Sequence, residues 1–270
     1  MSIGAFVKRV YHALVPLAVR RRLRVSRFSA PRRARAALWR RTGGRVAAGP
    51  LKGLRLAGDV PDDCFGAALL GAYECETHEW LEEQVGKGWP HVVNIGSSEG
   101  YYSVGLALRL PGATVHAFEM DAALREVGDE AARRNGVRNV VSHGTATPSV
   151  LAALPIERAL VLSDCEGAEQ ELIDPASVPW MMHSALLVEL HDVPAPGIED
   201  TLRRRFARTH DISIATQRPR DAAEWARKTQ VSLDDARILL AELRPQDGVH
   251  VDSSWMLLTP RLEVAEPQTR

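Results

Sequence analysis

The side chains of this sequence that could bind a ligand follow short apolar runs. The first run ends at Ile95 and leads into a loop with glycine at positions 96 and 100. Glycine allows a left-handed backbone and, because it lacks Cβ, lets the backbone approach a ligand closely. The G-x-x-x-G spacing differs from the G-x-G-x-x-G of a nicotinamide site. The loop therefore predicts a tight strand-to-helix turn beside a ligand, with six candidate binding residues: Asn94, Gly96, Ser97, Ser98, Gly100 and Tyr101.

The second apolar run ends at Glu119, nineteen residues beyond Gly100. A carboxylate at this place can accept hydrogen bonds from both hydroxyls of a ribose. Asp121 is the better candidate for capping the next helix, so capping does not account for Glu119. The loop and Glu119 together predict a nucleoside cofactor. Met120 and Thr145, which follow the second and third runs, are predicted to contact it.

Three further candidates, predicted to be catalytic, follow the fourth and fifth runs: Asp164, Glu189 and His191. Glu189 and His191 alternate on one predicted strand, so their side chains should point to the same face. His191 is the best candidate base, since its ordinary pKa of about 6.5 leaves it mostly neutral at pH 7; a structural histidine is the alternative. The three side chains could also hold a divalent metal, but nothing in their spacing demands one, so no metal site is predicted.

Other polar residues are predicted to face solvent. His143 is predicted to face water at a strand end. Glu74 and Glu76 are acid/base candidates by composition, although solvated helix-end carboxylates are the commoner explanation. A surface position is the default for four later residues, with the lining of an acceptor pocket as the alternative: His210, Asp211, Arg218 and Arg220. Glu242 and Arg244 are candidates for a buried ion pair.

The elements that must position these residues alternate along the chain from residue 91. Strands are predicted over 91–96, 114–120, 139–143, 159–165, 185–191, 212–216 and 255–259. Helices are predicted over 101–110, 122–135, 168–173, 198–208 and 233–243. This alternation predicts an α/β fold with a doubly wound, mostly parallel seven-stranded sheet. Ligands of such sheets bind beyond the carboxyl ends of the strands, which is where the candidate residues fall.

The charge of the chain is divided unevenly. The net charge is zero, but residues 1–58 carry fifteen Lys and Arg and no Asp or Glu. A basic helical N-terminal arm is therefore predicted over 1–48, followed by a cap or linker over 49–90, a cofactor-binding domain over 91–262 and a C-terminal tail over 263–270. The arm is predicted to pack on the acidic domain, with peripheral contact to anionic lipid or an acidic partner as the alternative. Nucleic-acid binding is not expected, because aromatic residues do not alternate with the basic ones.

Three cysteines without a C-x-x-C pair predict a reducing, cytoplasmic setting. Peripheral contact with the inner face of the membrane is the alternative that the basic arm leaves open. The uncharged run over 10–19 is too short to span a bilayer, and a signal peptide is not expected. The oligomeric state is left open.

The run Asp164-Cys165-Glu166-Gly167-Ala168-Glu169 resembles the D-x-E-G-A-E hallmark of FkbM-type S-adenosylmethionine (SAM)-dependent methyltransferases. The segments 117–119, 187–191 and 242–245, and Trp255, also match, so the resemblance spans roughly residues 49–260. It implies a Rossmann-like fold of the class I methyltransferase type, SAM as methyl donor, and usually O-methylation of sugars or natural products. It also implies that Asp164 faces the methionine part of SAM.

Two positions depart from the family pattern. Asn94 stands where the family usually has Asp, and Ser98 where it usually has Asn. The first change removes a charge that would attract the SAM ammonium group. The expectation is an O-methyltransferase acting on a sugar, glycan or natural-product small molecule. The alternatives are an N- or carboxyl-methyltransferase, or an inactive SAM-fold scaffold.

Overall fold

The computed structural model of the chain describes residues 30–56, 65–192, 195–217, 219–241 and 254–261. Within these ranges the strands are β1 His91–Ile95, β2 Thr114–Phe118, β3 Val140–His143, β4 Leu160–Ser163, β5 Ala185–Leu190, β6 His210–Thr216 and β7 Ser254–Pro260. The α-helices are α1 Ala30–Thr42, α2 Phe65–Leu70, α3 His78–Gly86, α4 Tyr101–Arg109, α5 Ala122–Asn135, α6 Pro148–Ala152, α7 Glu169–Leu172, α8 Ile198–Phe206, α9 Ala222–Thr229 and α10 Leu233–Leu240. Short 3₁₀ turns span Cys75–Thr77 and Pro179–His183.

The strands form one seven-stranded sheet in the order β3-β2-β1-β4-β5-β7-β6. The first five strands of the chain pair in parallel, whereas β7 is antiparallel to both β5 and β6. The Rossmann-like, doubly wound, mostly parallel fold predicted from the sequence is thereby confirmed. The strand order reverses between β1 and β4, which is the position where open α/β sheets hold their ligands.

Helices cover both faces of the sheet because its central strands are apolar on both sides. All six residues of β5 and all four of β4 are buried, as expected for parallel strands between two helix layers. One face packs on α3, α4 and α5, through residues such as Leu81, Leu106 and Ala132. The other packs on α6 and α8, through residues such as Leu151 and Phe206. The carboxyl ends of β1, β4 and β5 are therefore held from both sides.

A third apolar cluster lies beside the sheet and joins distant parts of the chain. It contains Leu38 of α1 and Leu69 of α2 together with Trp225 of α9 and Leu239 of α10. The helix α9 was not expected from the sequence, and α10 ends three residues before the predicted end of that helix. Residues 1–29, which make up most of the predicted basic arm, lie outside the described residues. Within the part of the chain that the structure describes, no helix combines the length and apolar character needed to cross a bilayer.

Candidate functional site

A cavity of about 490 Å³ opens at the carboxyl ends of β1, β2 and β4. Nine of the predicted site residues line it: Asn94, Gly96, Ser97, Ser98, Tyr101, Glu119, Met120, Thr145 and Asp164. Gly100, Glu189 and His191 do not line this cavity. Gly100 precedes the first turn of α4. His191 lies next to Asp164 and Glu189, with its Nε2 3.7 Å from an oxygen of each.

The glycines of the loop after β1 are required mainly by contacts within the protein. Gly96 has a φ of +78°, and a Cβ placed there would lie 1.7 Å from the carbonyl oxygen of Asp164. Gly100 has a φ of +90°, and its Cβ would lie 3.3 Å from the Cα of Gly128 on α5. The sequence prediction gave two reasons for these glycines, a left-handed backbone and the approach of a ligand. The positive φ values agree with the first reason. The structure adds a third, because a Cβ at Gly96 would collide with the Asp164 carbonyl and one at Gly100 would make tight contacts with Val104 and Gly128.

Glu119 fixes the loop as well as facing the cavity. Its Oε2 accepts a hydrogen bond from the Ser98 backbone N–H, and its Oε1 accepts one from the Asp121 backbone N–H, each at 2.9 Å. Ser98 adopts a left-handed φ of +46°, which turns its N–H toward this carboxylate. Because each carboxylate oxygen can accept more than one hydrogen bond, Glu119 keeps acceptor capacity for a ligand. Sequence reasoning missed its structural role, since only the folded loop brings Ser98 to it.

Apolar side chains surround the cavity beyond Glu119. Met120 is 77% exposed and Leu124 is 37% exposed, so the two side chains form an apolar rim in contact with solvent. Phe118 and Ala146 lie deeper in the same wall. His143 is partly exposed at the end of β3, and its ring also stacks on Phe118 with 4.4 Å between the ring centroids. This part of the cavity therefore offers apolar surface to a flat group.

The opposite side of the cavity holds an unusual buried amide. Asn94 is 2% exposed, and its Oδ1 has no hydrogen-bond partner among the described residues. Asn94 alternates with the core residue Val92 on β1, so its side chain points to the same face of the sheet as the first core cluster. A buried acceptor without a partner costs free energy, on the order of 1–3 kcal/mol. A ligand with an N–H donor would recover that cost.

The carboxylate of Glu169 holds His191 in place. The sequence analysis included Glu169 in the D-x-E-G-A-E run but predicted no role for it. Glu169, which is fully buried, accepts hydrogen bonds from the backbone N–H of Cys165 at 2.8 Å and of Gly167 at 2.9 Å. Its Oε1 also lies 2.9 Å from His191 Nδ1. Burial raises the pKa of Glu169, but the hydrogen bonds from His191 and Cys165 outweigh it and hold that pKa below its ordinary value. Glu169 is therefore a carboxylate, and Nδ1 of His191 is the donor.

The other ring nitrogen of His191 faces carboxylates. Nε2 lies 3.7 Å from Asp164 Oδ1, 3.7 Å from Glu189 Oε2 and 3.6 Å from Glu166 Oε2. The hydrogen bond to Glu169 raises the pKa of His191 above its ordinary value, and the nearby carboxylates add to that effect. The three predicted catalytic residues are thus brought together at adjacent strand ends.

Glu74 completes this group from the segment before α3. The side chain is 5% exposed, so the prediction of a solvated carboxylate is wrong. Tyr102 donates a hydrogen bond to its Oε2, whereas Oε1 has no hydrogen-bond partner among the described residues. Burial, followed by the charge of Glu189, raises the pKa of Glu74 to about 8. Burial and Glu189 likewise raise the pKa of Asp164 to about 9.

Three further predictions of solvent exposure, those for Glu76, Arg220 and His210, are wrong. Glu76 forms an ion pair with Arg220 at 3.3 Å, with side chains that are 4% and 8% exposed. Arg220 also donates to the carbonyl oxygen of Ala72 at 3.0 Å, so it ties the segment before α3 to the segment before α9. His210 is fully buried and contacts the carbonyl oxygen of Ser184. Asp211, by contrast, is exposed as predicted, and Arg218, Glu242 and Arg244 lie outside the described residues.

Comparisons with known proteins find similarity of structure but not of sequence. No protein-family model and no curated protein sequence matches the chain. A candidate O-methyltransferase from Klebsiella pneumoniae is 14% identical, with 95% of this chain and 97% of that chain covered at a TM-score of 0.45. The O-methyltransferase TomG from Streptomyces achromogenes, involved in tomaymycin synthesis and solved with SAM, is 15% identical, with 87% and 92% covered at a TM-score of 0.41. Similarity at this level carries no argument about the reaction of this chain.

Proposed function

We propose that the chain is a SAM-dependent methyltransferase of the FkbM type that methylates a hydroxyl group of a sugar or natural-product small molecule. The observation that carries this proposal is the placement of Glu119 and Asn94 in one cavity at the point where the strand order reverses. Glu119 can accept hydrogen bonds from ribose hydroxyls. The Oδ1 of Asn94, which no donor among the described residues reaches, suits a donor such as the ammonium of a methionine moiety.

The remaining lining residues fit the other parts of SAM. Met120, Leu124 and Phe118 offer apolar surface to the adenine ring. Asp164 adds a carboxyl group near the methionine end. Burial raises its pKa to about 9, so it would compensate for the missing charge at Asn94 when the ammonium group of bound SAM favours its ionised form. When bound, SAM supplies a methyl group on a sulfonium, which needs alignment with the acceptor more than activation.

The side chains of the protein contribute to the reaction by accepting the proton of the acceptor hydroxyl group. Glu169 holds the Nδ1–H of His191, so the lone pair of Nε2 points toward Asp164 and Glu189. A hydroxyl group in that position could pass its proton to Nε2 as the oxygen attacks. The surrounding carboxylates disfavour an anionic acceptor, which supports a neutral hydroxyl compound. Because the pKa of His191 is raised, the fraction of neutral base, and with it the rate, should increase with pH through that pKa.

Calorimetric titration with S-adenosylhomocysteine tests the cofactor assignment. Wild-type protein should bind it at micromolar concentration, and Glu119→Gln should weaken binding by roughly 10- to 100-fold, because hydrogen bonds to a charged group are worth about 1.5–3 kcal/mol. Glu126→Gln, an exposed change on α5, is the matched control and should leave the affinity unchanged. Since Glu119 also fixes the loop, Met120→Ala provides a second variant that removes only an exposed side chain and should weaken binding several-fold. A wild-type chain that binds neither SAM nor S-adenosylhomocysteine at millimolar concentration would refute the proposal.

The acceptor class can be tested separately with labelled SAM. Panels of sugars, hydroxylated natural products and amines would be incubated with the full-length chain. Methyl transfer to hydroxyl compounds is the expected result. Transfer to amines alone would contradict O-methylation while leaving the cofactor assignment intact.

A further inference from the structure

The wall of the cavity is acidic. Among the described residues that line it, none is a lysine or an arginine, and four carry carboxyl groups: Glu99, Glu119, Asp164 and Glu166. Such a wall favours ligands with a positive charge, because opposite charges attract more strongly beside a protein than in water. Ser98 donates a hydrogen bond to each of Glu99 and Glu119, from its hydroxyl and its backbone N–H. Asp164 differs from these two, because it also belongs to a group of crowded carboxyl groups.

Two buried carboxyl groups lie close to Asp164. One oxygen from each of Glu74, Asp164 and Glu189 lies within 4.8 Å of the other two, and Glu74 and Glu189 are 5% and 1% exposed. Asp164 and Glu189 also share a hydrogen bond. A hydrogen bond between two carboxyl groups needs a proton on one of them, because an ionised carboxylate can only accept. The geometry thus requires at least one proton on these three residues, the carboxyl cluster, in the free protein.

The charged groups that act on Asp164 come from several elements. Burial, followed by Glu189 on β5, raises the pKa of Asp164 to about 9, and Glu74 and Glu166 add to the effect. His191, which follows β5, favours the ionised form of Asp164 when it is protonated, since its Nε2 lies 3.7 Å from Asp164 Oδ1. Asp164 is therefore protonated at neutral pH in the free protein. It can lose that proton when a positive charge enters the cavity.

We propose that the binding of SAM makes Asp164 release its proton to solvent, so that the carboxyl cluster can later take up the proton of the acceptor hydroxyl group. SAM carries a positive charge on sulfur and another on its ammonium group, and Asp164 forms part of the wall that would face them. A nearby opposite charge favours the ionised form of a carboxyl group by about 10- to 1000-fold. The proposal rests on the proposed function, because it requires SAM as the ligand.

The proton is balanced over one turnover. Methyl transfer forms a carbon–oxygen bond, breaks the carbon–sulfur bond and leaves its electron pair on sulfur. It thereby removes one of the two positive charges that keep Asp164 ionised. His191, when neutral, takes the hydroxyl proton on Nε2 and passes it to Asp164, which lies 3.7 Å away. Asp164 is then protonated again, and the one proton that each turnover produces is the one released when SAM binds.

Calorimetric titration of the full-length chain with SAM, in buffers of different ionisation enthalpy, counts the protons released. At about pH 6.5 the ammonium group of the ligand is already protonated, because an α-amino group has a pKa of about 7.7–8.0. We expect release of about one proton for each SAM bound, and an affinity for SAM that rises roughly tenfold per pH unit between about pH 5.5 and 7. 5′-Methylthioadenosine, a nucleoside without either positive charge, should bind without releasing a proton.

The substitution Asp164→Asn separates Asp164 from other sources of the proton. Asparagine has the size of a protonated aspartic acid, and its NH₂ group can donate a hydrogen bond to Glu189, so the variant should fold. It should bind 5′-methylthioadenosine as the wild type does, but it should release no proton with SAM, and its affinity for SAM should not rise with pH. Glu171→Gln, an exposed change on α7, is the matched control and should release the proton as the wild type does.

The outcomes distinguish this proposal from the proposed function. Binding of SAM without proton release, or equal release by the wild type and Asp164→Asn, overturns the role of Asp164 and leaves the cofactor assignment intact. Equal proton release with SAM and with 5′-methylthioadenosine also overturns it, because the charge of the ligand is then not the cause. If neither SAM nor S-adenosylhomocysteine binds at millimolar concentration, the proposed function fails and this proposal fails with it.

Discussion

The substitution Glu169→Gln most directly tests the hydrogen bond by which Glu169 holds His191. Oε1 of Glu169 accepts hydrogen bonds from Cys165 N–H and from His191 Nδ1–H, and Oε2 accepts one from Gly167 N–H. A glutamine can keep the two bonds to Oε1, but its NH₂ group would face the Gly167 N–H. The variant therefore loses one hydrogen bond, leaves a buried donor without a partner and removes the charge from the other two bonds.

These losses can be converted into an expected change in stability. An unsatisfied buried donor costs about 1–3 kcal/mol, and a hydrogen bond to a charged acceptor is worth roughly 1 kcal/mol more than one to a neutral acceptor. The free energy of unfolding should thus fall by about 3 kcal/mol, which corresponds to a decrease in Tm of roughly 6–12 °C for a protein of this size.

The effect should also depend on pH in a defined direction. The pKa of His191 is raised in the folded state, so its contribution to stability is fully present below its ordinary pKa and disappears as pH rises through the folded value. The pKa of Glu169 is lowered, so its contribution persists down to below its own ordinary pKa. The difference in stability between wild type and Glu169→Gln should be larger at about pH 6 than at about pH 9.

Urea denaturation of the two proteins at both pH values, in the presence of a chelator, measures this difference. An NMR titration of the His191 ring should show that its pKa falls in Glu169→Gln. The neighbouring exposed change Glu171→Gln controls for altered charge on α7. A pH-independent difference in stability, together with an unchanged His191 pKa, would refute the assignment of Glu169 as the partner of His191.

Two further predictions concern the frame of the site. Gly96→Ala should lower the free energy of unfolding by about 2–5 kcal/mol in urea denaturation, because the added Cβ meets the Asp164 carbonyl and the left-handed backbone is unfavourable for alanine. Gly112→Ala is the control and should change stability little, because the space around its Cβ is open. Equal losses of stability in the two variants would contradict this explanation. Arg220→Met should lower the free energy of unfolding by about 3–5 kcal/mol, because it leaves the buried Glu76 without its partner. The double variant with Glu76→Leu should recover part of that loss, and a double variant no more stable than the single one would argue against an ion pair.

The sequence predicted the sheet well because the information is local. Apolar runs followed by small or acidic residues mark each parallel strand and its carboxyl end, and helix α5 begins after Asp121, as its capping preference indicates. The positions of Glu119 and Asp164 at the cavity follow from that pattern alone, since the ends of parallel strands share one edge of the sheet.

The rest of the site depends on contacts between distant segments. Glu74 and Glu76 lie in a short polar segment that looks solvated, and their burial follows from packing against α4 and from Arg220, far along the chain. Glu169 was visible in the D-x-E-G-A-E run, but no local signal shows that its side chain turns back to hold His191. Charged residues are rarely fully buried, so a sequence alone predicts that glutamates such as Glu74, Glu76 and Glu169 are exposed.

The third apolar cluster has a consequence for the order in which the chain can acquire its structure. Arg41 of α1 donates hydrogen bonds to the carbonyl oxygens of Thr229 and Gln230, which follow it by 188 and 189 residues. Leu38 shares its apolar cluster with Trp225 and Leu239. At a synthesis rate of about 5–20 residues per second, α1 must wait roughly 10–40 s on the ribosome before these partners exist. The first helix of the described chain is thus among the last to complete its packing, and until then its apolar side is open to chaperones or to other nascent chains.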